Sequence, residues 1–124
     1  MKYCVRSLIC LVLLCNCIVF AEEPPVERWV ARYNKPGSRF DDGVATAMDS
    51  YSNIYVTGQS KGSGTSDYFA TIKYDSNGNQ KWVACYDGRI NGYDCPHDIA
   101  VDEHCNVYVT GQSNDPWEAV TIKY

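Results

Sequence analysis

Asn53-Ile-Tyr-Val-Thr-Gly-Gln-Ser60 and Asn106-Val-Tyr-Val-Thr-Gly-Gln-Ser113 are one octapeptide written twice, 53 residues apart, with Val107 in place of Ile54 as the one difference. N-terminal to each copy, Trp29-Val-Ala-Arg-Tyr33 matches Trp82-Val-Ala-Cys-Tyr86, Asp41 matches Asp94, Ala47 matches Ala100 and Asp49 matches Asp102. Between Trp29 and Ser60 the two copies agree at 14 of 32 ungapped positions. Three residues are then lost from the second copy, after which Thr71-Ile-Lys-Tyr74 recurs as Thr121-Ile-Lys-Tyr124. A period near 50 residues belongs to folds that stack one supersecondary unit on the next.

Each unit reads as short strands. Ala45–Asp49, Asn53–Gln59, Tyr68–Tyr74 and Gln80–Tyr86 are rich in Val, Ile, Thr, Tyr and Trp, the residues that suit a pleated surface. Arg28–Tyr33 repeats the last of them and reads as a further strand. Asp49-Ser-Tyr-Ser-Asn53, Lys61-Gly-Ser-Gly64 and Asp75-Ser-Asn-Gly-Asn79 separate them as turns, with Asn77-Gly78 supplying the positive φ angles of a tight hairpin. No run of ten residues has helical spacing with caps. Four antiparallel strands per repeat is the content of one propeller blade. The expected fold is therefore all-β, with about two β-propeller-type blades of four antiparallel strands, approximately 29–81 and 82–124.

Ala45-Thr-Ala-Met-Asp49, Asn53-Ile-Tyr-Val-Thr-Gly58 and Phe69-Ala-Thr-Ile-Lys-Tyr-Asp-Ser-Asn-Gly-Asn-Gln-Lys-Trp-Val-Ala84 resemble the SBBP-type beta-propeller repeat of bacteria and archaea, from Trp29 to Tyr124. The resemblance implies Ala45–Asp49 as innermost strand, Asn53–Gln59 as second, Tyr68–Tyr74 as third and Gln80–Tyr86 as outermost. It is a resemblance to an architecture and implies no chemistry; such repeats occur mostly in exported or surface proteins without assigned chemistry. Cys95-Pro96-His97 and Glu103-His104-Cys105 replace the usual small turn residues, so the loops of the second copy are expected to differ in shape.

Two blades do not make a closed ring in a single chain, because a propeller needs at least four. The second blade lacks an outer strand and the strand at Arg28–Tyr33 lacks a blade. These gaps complement each other between copies: three or four copies joined head to tail would give six or eight blades. The other expectation is a truncated fragment of a larger propeller, with exposed sheet edges.

Residues 1–21 read as a signal peptide. Lys2 and Arg6 are followed by an apolar run, Leu8–Phe20, and Val19-Phe20-Ala21 suits cleavage after Ala21. The run is shorter than the roughly 20 residues of a transmembrane helix. This implies a secreted, periplasmic or cell-surface protein; acylation at Cys15 or Cys17 is the less fitting variant, because Leu14 or Asn16 would precede it. Residues 22–27 form a short Glu/Pro linker and 28–124 the two repeats. Nine basic against 15 acidic residues then remain, a net charge of −6 that disfavours nucleic acid.

Three of the seven cysteines lie beyond residue 21: Cys85, Cys95 and Cys105, opposite Arg32, Asp42 and Ser52 of the first copy. In an exported protein a Cys85–Cys95 disulfide is the nearest pairing in blade order, with Cys105 odd. Cys95, His97, His104 and Cys105 have zinc-ligand chemistry, but an intervening strand holds the histidines roughly 20 Å apart, so no metal and no cofactor is expected. Asp75-Ser-Asn-Gly-Asn79 lacks the distal Glu of a calcium loop, and Lys61-Gly-Ser-Gly-Thr65 lacks the helix of a phosphate cradle. Asp41, Asp42, Asp94 and Asp98 fall near the starts of inner strands, where a ligand funnel lies; Asp41 and Asp94 are its candidate ligand-binding carboxylates. Trp117, in the shortened loop Asn114-Asp-Pro-Trp117, is the candidate exposed aromatic contact. The function expected is a non-enzymatic binding or interaction scaffold whose partner is a carbohydrate, a protein or another copy. The competing class is a hydrolase or lyase using the funnel carboxylates.

Overall fold

The computed structural model describes residues 23–35, 37, 40–62, 67–88, 92–114 and 117–124. The expected signal peptide lies outside the described residues, as do parts of the glycine loop and of the loop before Trp117. The first blade is an antiparallel sheet of β1 (Phe40–Met48), β2 (Ile54–Lys61), β3 (Asp67–Tyr74) and β4 (Gln80–Tyr86). The second has β5 (Tyr93–Val101), β6 (Val107–Asn114) and β7 (Trp117–Lys123). A single parallel pair, Asp67 with Tyr93, joins the two sheets. The fold is all-β and open, without closure into a ring, and none of the described residues forms a helix long and apolar enough to cross a membrane.

Strand alternation gives each sheet two faces, and the blades share one of them. Tyr55 and Phe69 of the first blade pack on Ile99, Val107 and Val109 of the second, with Trp82, Tyr86, Ile122 and Tyr124 around them. Tyr55, Phe69, Val107 and Val109 are at most 1 % exposed, so this inter-blade layer is the main core. The opposite face of the first blade carries Tyr68, Ala70, Ile72 and Tyr74, covered by Ala31 and Tyr33.

Two expectations need correction. Arg28–Tyr33 forms no strand: it lies across the first blade, and no strand among the described residues pairs with it. The inner strand begins at Phe40 rather than Ala45. A bulge between Gly43 and Ala45 lets Phe40–Gly43 continue the ladder opposite Gly58–Lys61, and the second blade repeats the bulge between Pro96 and Asp98.

The turns are more regular than their sequences suggest. Asp49, Asp75 and Asp102 each accept, through Oδ1, the backbone N–H groups two and four residues on, at 2.9 to 3.0 Å. The residue before the closing Asn takes a positive φ: 63° at Ser52, 83° at Gly78 and 62° at Cys105. This Asp-x-x-x-Asn turn has one left-handed residue, so Asn77-Gly78 does not form the two-residue hairpin expected of it. The turn through Glu103-His104-Cys105 therefore keeps the shape of its first-copy counterpart.

Asp49 and Asp102 brace the strands that follow them. Asn53 Nδ2 and Tyr55 Oη donate to Asp49 Oδ2 at 2.8 and 3.0 Å, and Asn106 Nδ2 and Tyr108 Oη to Asp102 Oδ2 at 2.7 and 3.1 Å. Burial opposes charge on Asp49, but these donors outweigh it and hold the carboxyl down to about 2. Asn106 leads the donors that hold Asp102 at about 2 as well. A depressed carboxyl contributes stability that is present above its unfolded value of about 4 and lost as pH falls toward the folded one. Thermal midpoints should thus drop between about pH 4 and pH 2, and Asp49→Asn should flatten that drop while lowering the midpoint at pH 7. A wild-type midpoint that stays level down to pH 2 would refute the brace.

Candidate functional site

The two outward faces of the stack differ in cover. On the first blade, the segment from Trp29 to Lys35 crosses the sheet. Trp29 Nε1 donates to the Ser76 carbonyl at 3.2 Å, its ring meets Tyr74 at 6.1 Å, and Lys35 Nζ stands 4.4 Å over the Tyr68 ring. Beneath the segment lies a hollow of about 270 Å³ bordered by Trp29, Tyr33, Asp41, Gly58, Ala70 and Tyr74. Burial there, with Cys85, Tyr68 and Asp41 beside it, pushes the Tyr33 phenol up to about 12.

The second blade turns the other way and nothing described covers it. Its outer face presents Tyr93, Asp98 and Ala100 on β5, Tyr108, Thr110 and Gln112 on β6, and Trp117, Ala119, Thr121 and Lys123 on β7. Trp117 is 65 % exposed, tilted 58° against Tyr93 with the ring centres 6.3 Å apart. Thr57 and Thr71, the first-blade counterparts of Thr110 and Thr121, are fully buried between the blades and share a 3.1 Å hydrogen bond.

The sequence-derived site residues do not converge. Asp41 faces the hollow and accepts from Ser60 Oγ, its cross-strand partner, which also bonds Tyr68 Oη at 2.8 Å. Asp94 is fully buried under the first blade; its Oδ2 accepts from Gly88 N at 2.8 Å, and its Oδ1 has no hydrogen-bond partner. Asp41 is thus engaged by its own blade and Asp94 by the chain just after β4, and Trp117 lies on the opposite face of its sheet from Asp94. The structure holds Cys85, Cys95 and Cys105 as free thiols. Cys85 faces away from the second blade and Cys95 away from the first, so the sheets stand between the two expected partners. Cys95 and His97 belong to β5, and His104 and Cys105 to the turn beyond it; among the described residues no three acidic, His or Cys side chains are grouped to hold a metal. The candidate surface that sequence reading missed is the outer face as a whole. Its signal was available in the identity of Tyr108, Thr110, Gln112, Thr121 and Lys123 with Tyr55, Thr57, Gln59, Thr71 and Lys73.

Residues 88–116, which span β5 and β6, match the SBBP beta-propeller repeat. No curated protein matches the chain.

Proposed function

We propose that this chain, with its SBBP beta-propeller repeat, is an exported, non-enzymatic interaction scaffold that works through the outer face of its second blade. One observation carries the reading: residues that the first blade buries completely against a neighbour are repeated on the second blade and left open. A sheet face built to be covered, bearing an exposed Trp–Tyr pair, is a binding surface for a macromolecule. Lys2, Arg6 and the apolar run behind them support export.

Carbene footprinting tests both halves of the proposal, using intact producing cells and the purified chain diluted until only single chains remain. Tyr93, Thr110 and Trp117 should label strongly in the isolated chain and be protected on the cell. Equal labelling in both states would defeat the scaffold reading, and recovery of the chain only inside the cytoplasm would defeat export.

A further inference from the structure

We infer that the partner of this face is the first blade of another copy of the same chain, docked head to tail as the two blades dock within one chain. The inference rests on the scaffold reading and names its partner. Inside the chain, the face carrying Tyr55, Thr57 and Thr71 packs on the face carrying Ile99, Val107 and Val109. The open face of the second blade repeats the first of these surfaces as Tyr108, Thr110 and Thr121. The outward face of the first blade repeats the second surface: Val56, Gly58, Ile72 and Tyr74 stand where Val109, Gly111, Ile122 and Tyr124 stand. The two outward faces therefore carry the two halves of an interface that the chain already makes once.

The N-terminal segment supplies a second line of evidence. Trp29 meets Tyr74 at 6.1 Å as Trp82 meets Tyr124 at 5.9 Å, so residues 29–33 lie on the first blade as β4 lies on the second. β4, however, is bonded into a sheet through β3, whereas residues 29–33 have no sheet of their own. On the second blade, the far edge of β7 pairs with no strand among the described residues. The first blade stands between this edge and residues 29–33 of the same chain, so residues 29–33 can meet such an edge only on another copy. β3 and β4 pair Lys73 with Trp82, Thr71 with Ala84 and Phe69 with Tyr86. The docked copy would then pair its Trp29 with Lys123, its Ala31 with Thr121 and its Tyr33 with Ala119. The segment already lies in position, so docking requires no rearrangement. Ala119 is smaller than its counterpart Phe69, which in the first blade sits over Gly111. The hollow above Gly58 is left for Trp117, two residues along the same face.

The test is the mass of the full-length chain, purified as its host processes it, by light scattering on a sizing column. A discrete species of three or four chains is expected, closing six or eight blades. Thr110→Arg should reduce it to single chains that still melt cooperatively, at a midpoint lowered by the loss of assembly, since Thr110 is exposed within one chain. With Cys85, Cys95 and Cys105 replaced by Ser, the pair Ala31→Cys and Thr121→Cys should give a disulfide-linked ladder on oxidation that neither single replacement gives. A cooperatively folded wild-type monomer would overturn the second copy as partner while leaving the scaffold reading to the footprinting result. A multimer indifferent to Thr110→Arg would overturn this face as the contact. A molten monomer would remove both proposals together.

Discussion

Gly111→Ala is expected to unfold the second blade at moderate temperature. A Cβ at this position would stand 2.2 Å from the Cys95 carbonyl oxygen, 2.6 Å from the Phe69 ring and 2.7 Å from Pro96 Cα. Two of these neighbours are backbone atoms of the β5 bulge, which folds over Gly111 because Pro96 is its cross-strand partner. The third is the ring that seats the first blade. Relieving the clash means dissolving the bulge or separating the blades, so the cost should exceed the ~1–3 kcal/mol typical of overpacking. A loss above about 3 kcal/mol lowers the midpoint of a domain this size by at least about 12 °C. Gly43→Ala is the control, because its Cβ would meet only Val56 Cγ1, at an ordinary 3.8 Å. Melting curves by circular dichroism should separate the two variants plainly; equal midpoints would mean that the bulge does not close over Gly111.

The same geometry explains why the octapeptide repeats so closely. Its Gly58 lies under the bulge of β1, with a Cβ there only 1.9 Å from the Asp42 carbonyl oxygen, and Gly111 repeats the arrangement. A strand signal in Val, Thr and Tyr was readable, and Gln80–Tyr86 has the bounds its composition gives. The bulge was not readable, because Asp41-Asp42-Gly43 has the composition of a turn and becomes strand only by pairing with Gln59, Ser60 and Gly58. Arg28–Tyr33 is the opposite case. It has the residues of β4, yet β propensity expresses fit to a neighbouring strand, and no such strand lies beside it. The three Asp-x-x-x-Asn turns are written plainly in the sequence, and it is their Asp, not the Asn-Gly pair, that organises them.

Exposure was legible only where it is set locally. Trp117 opens an edge strand beyond a short loop, and it is exposed. Asp41 and Asp94 occupy the same place in the repeat, yet one borders a hollow and the other is fully buried, because a whole blade covers Asp94 and only a single segment covers Asp41. No local pattern encodes that difference. The cysteines fail for a related reason: closeness in strand order says nothing about face, and alternation sets Cys85 and Cys95 on opposite outer sides. What the sequence did contain was the pairing of faces, for anyone aligning the outward residues of one copy with the inward residues of the other.

Phe69→Ala should cost about 3–5 kcal/mol, the range for removing a buried aromatic ring. Phe69 is fully buried, meets Tyr86 edge to face at 5.4 Å, and shares the inter-blade cluster with Ile99, Val107 and Val109. Neither blade folds around it alone: it is supplied by the first sheet and covered by the second, so its loss leaves a cavity at the seam. Against a total stability of roughly 5–15 kcal/mol, that loss should bring the denaturant midpoint close to zero or split the transition into two steps. The repeat provides its own comparison at Ala119, the same position on the open face. Ala119→Phe places a ring on an exposed face beside its cross-strand partner Gln112, with no second sheet over it among the described residues, so the stability of the single chain should change by no more than about 0.5 kcal/mol. If Phe69→Ala costs less than about 1 kcal/mol, the two sheets do not share a core. In that case the inward faces would be no better matched than the outward ones, and the blade-on-blade geometry would lose its standing as a template for docking between copies.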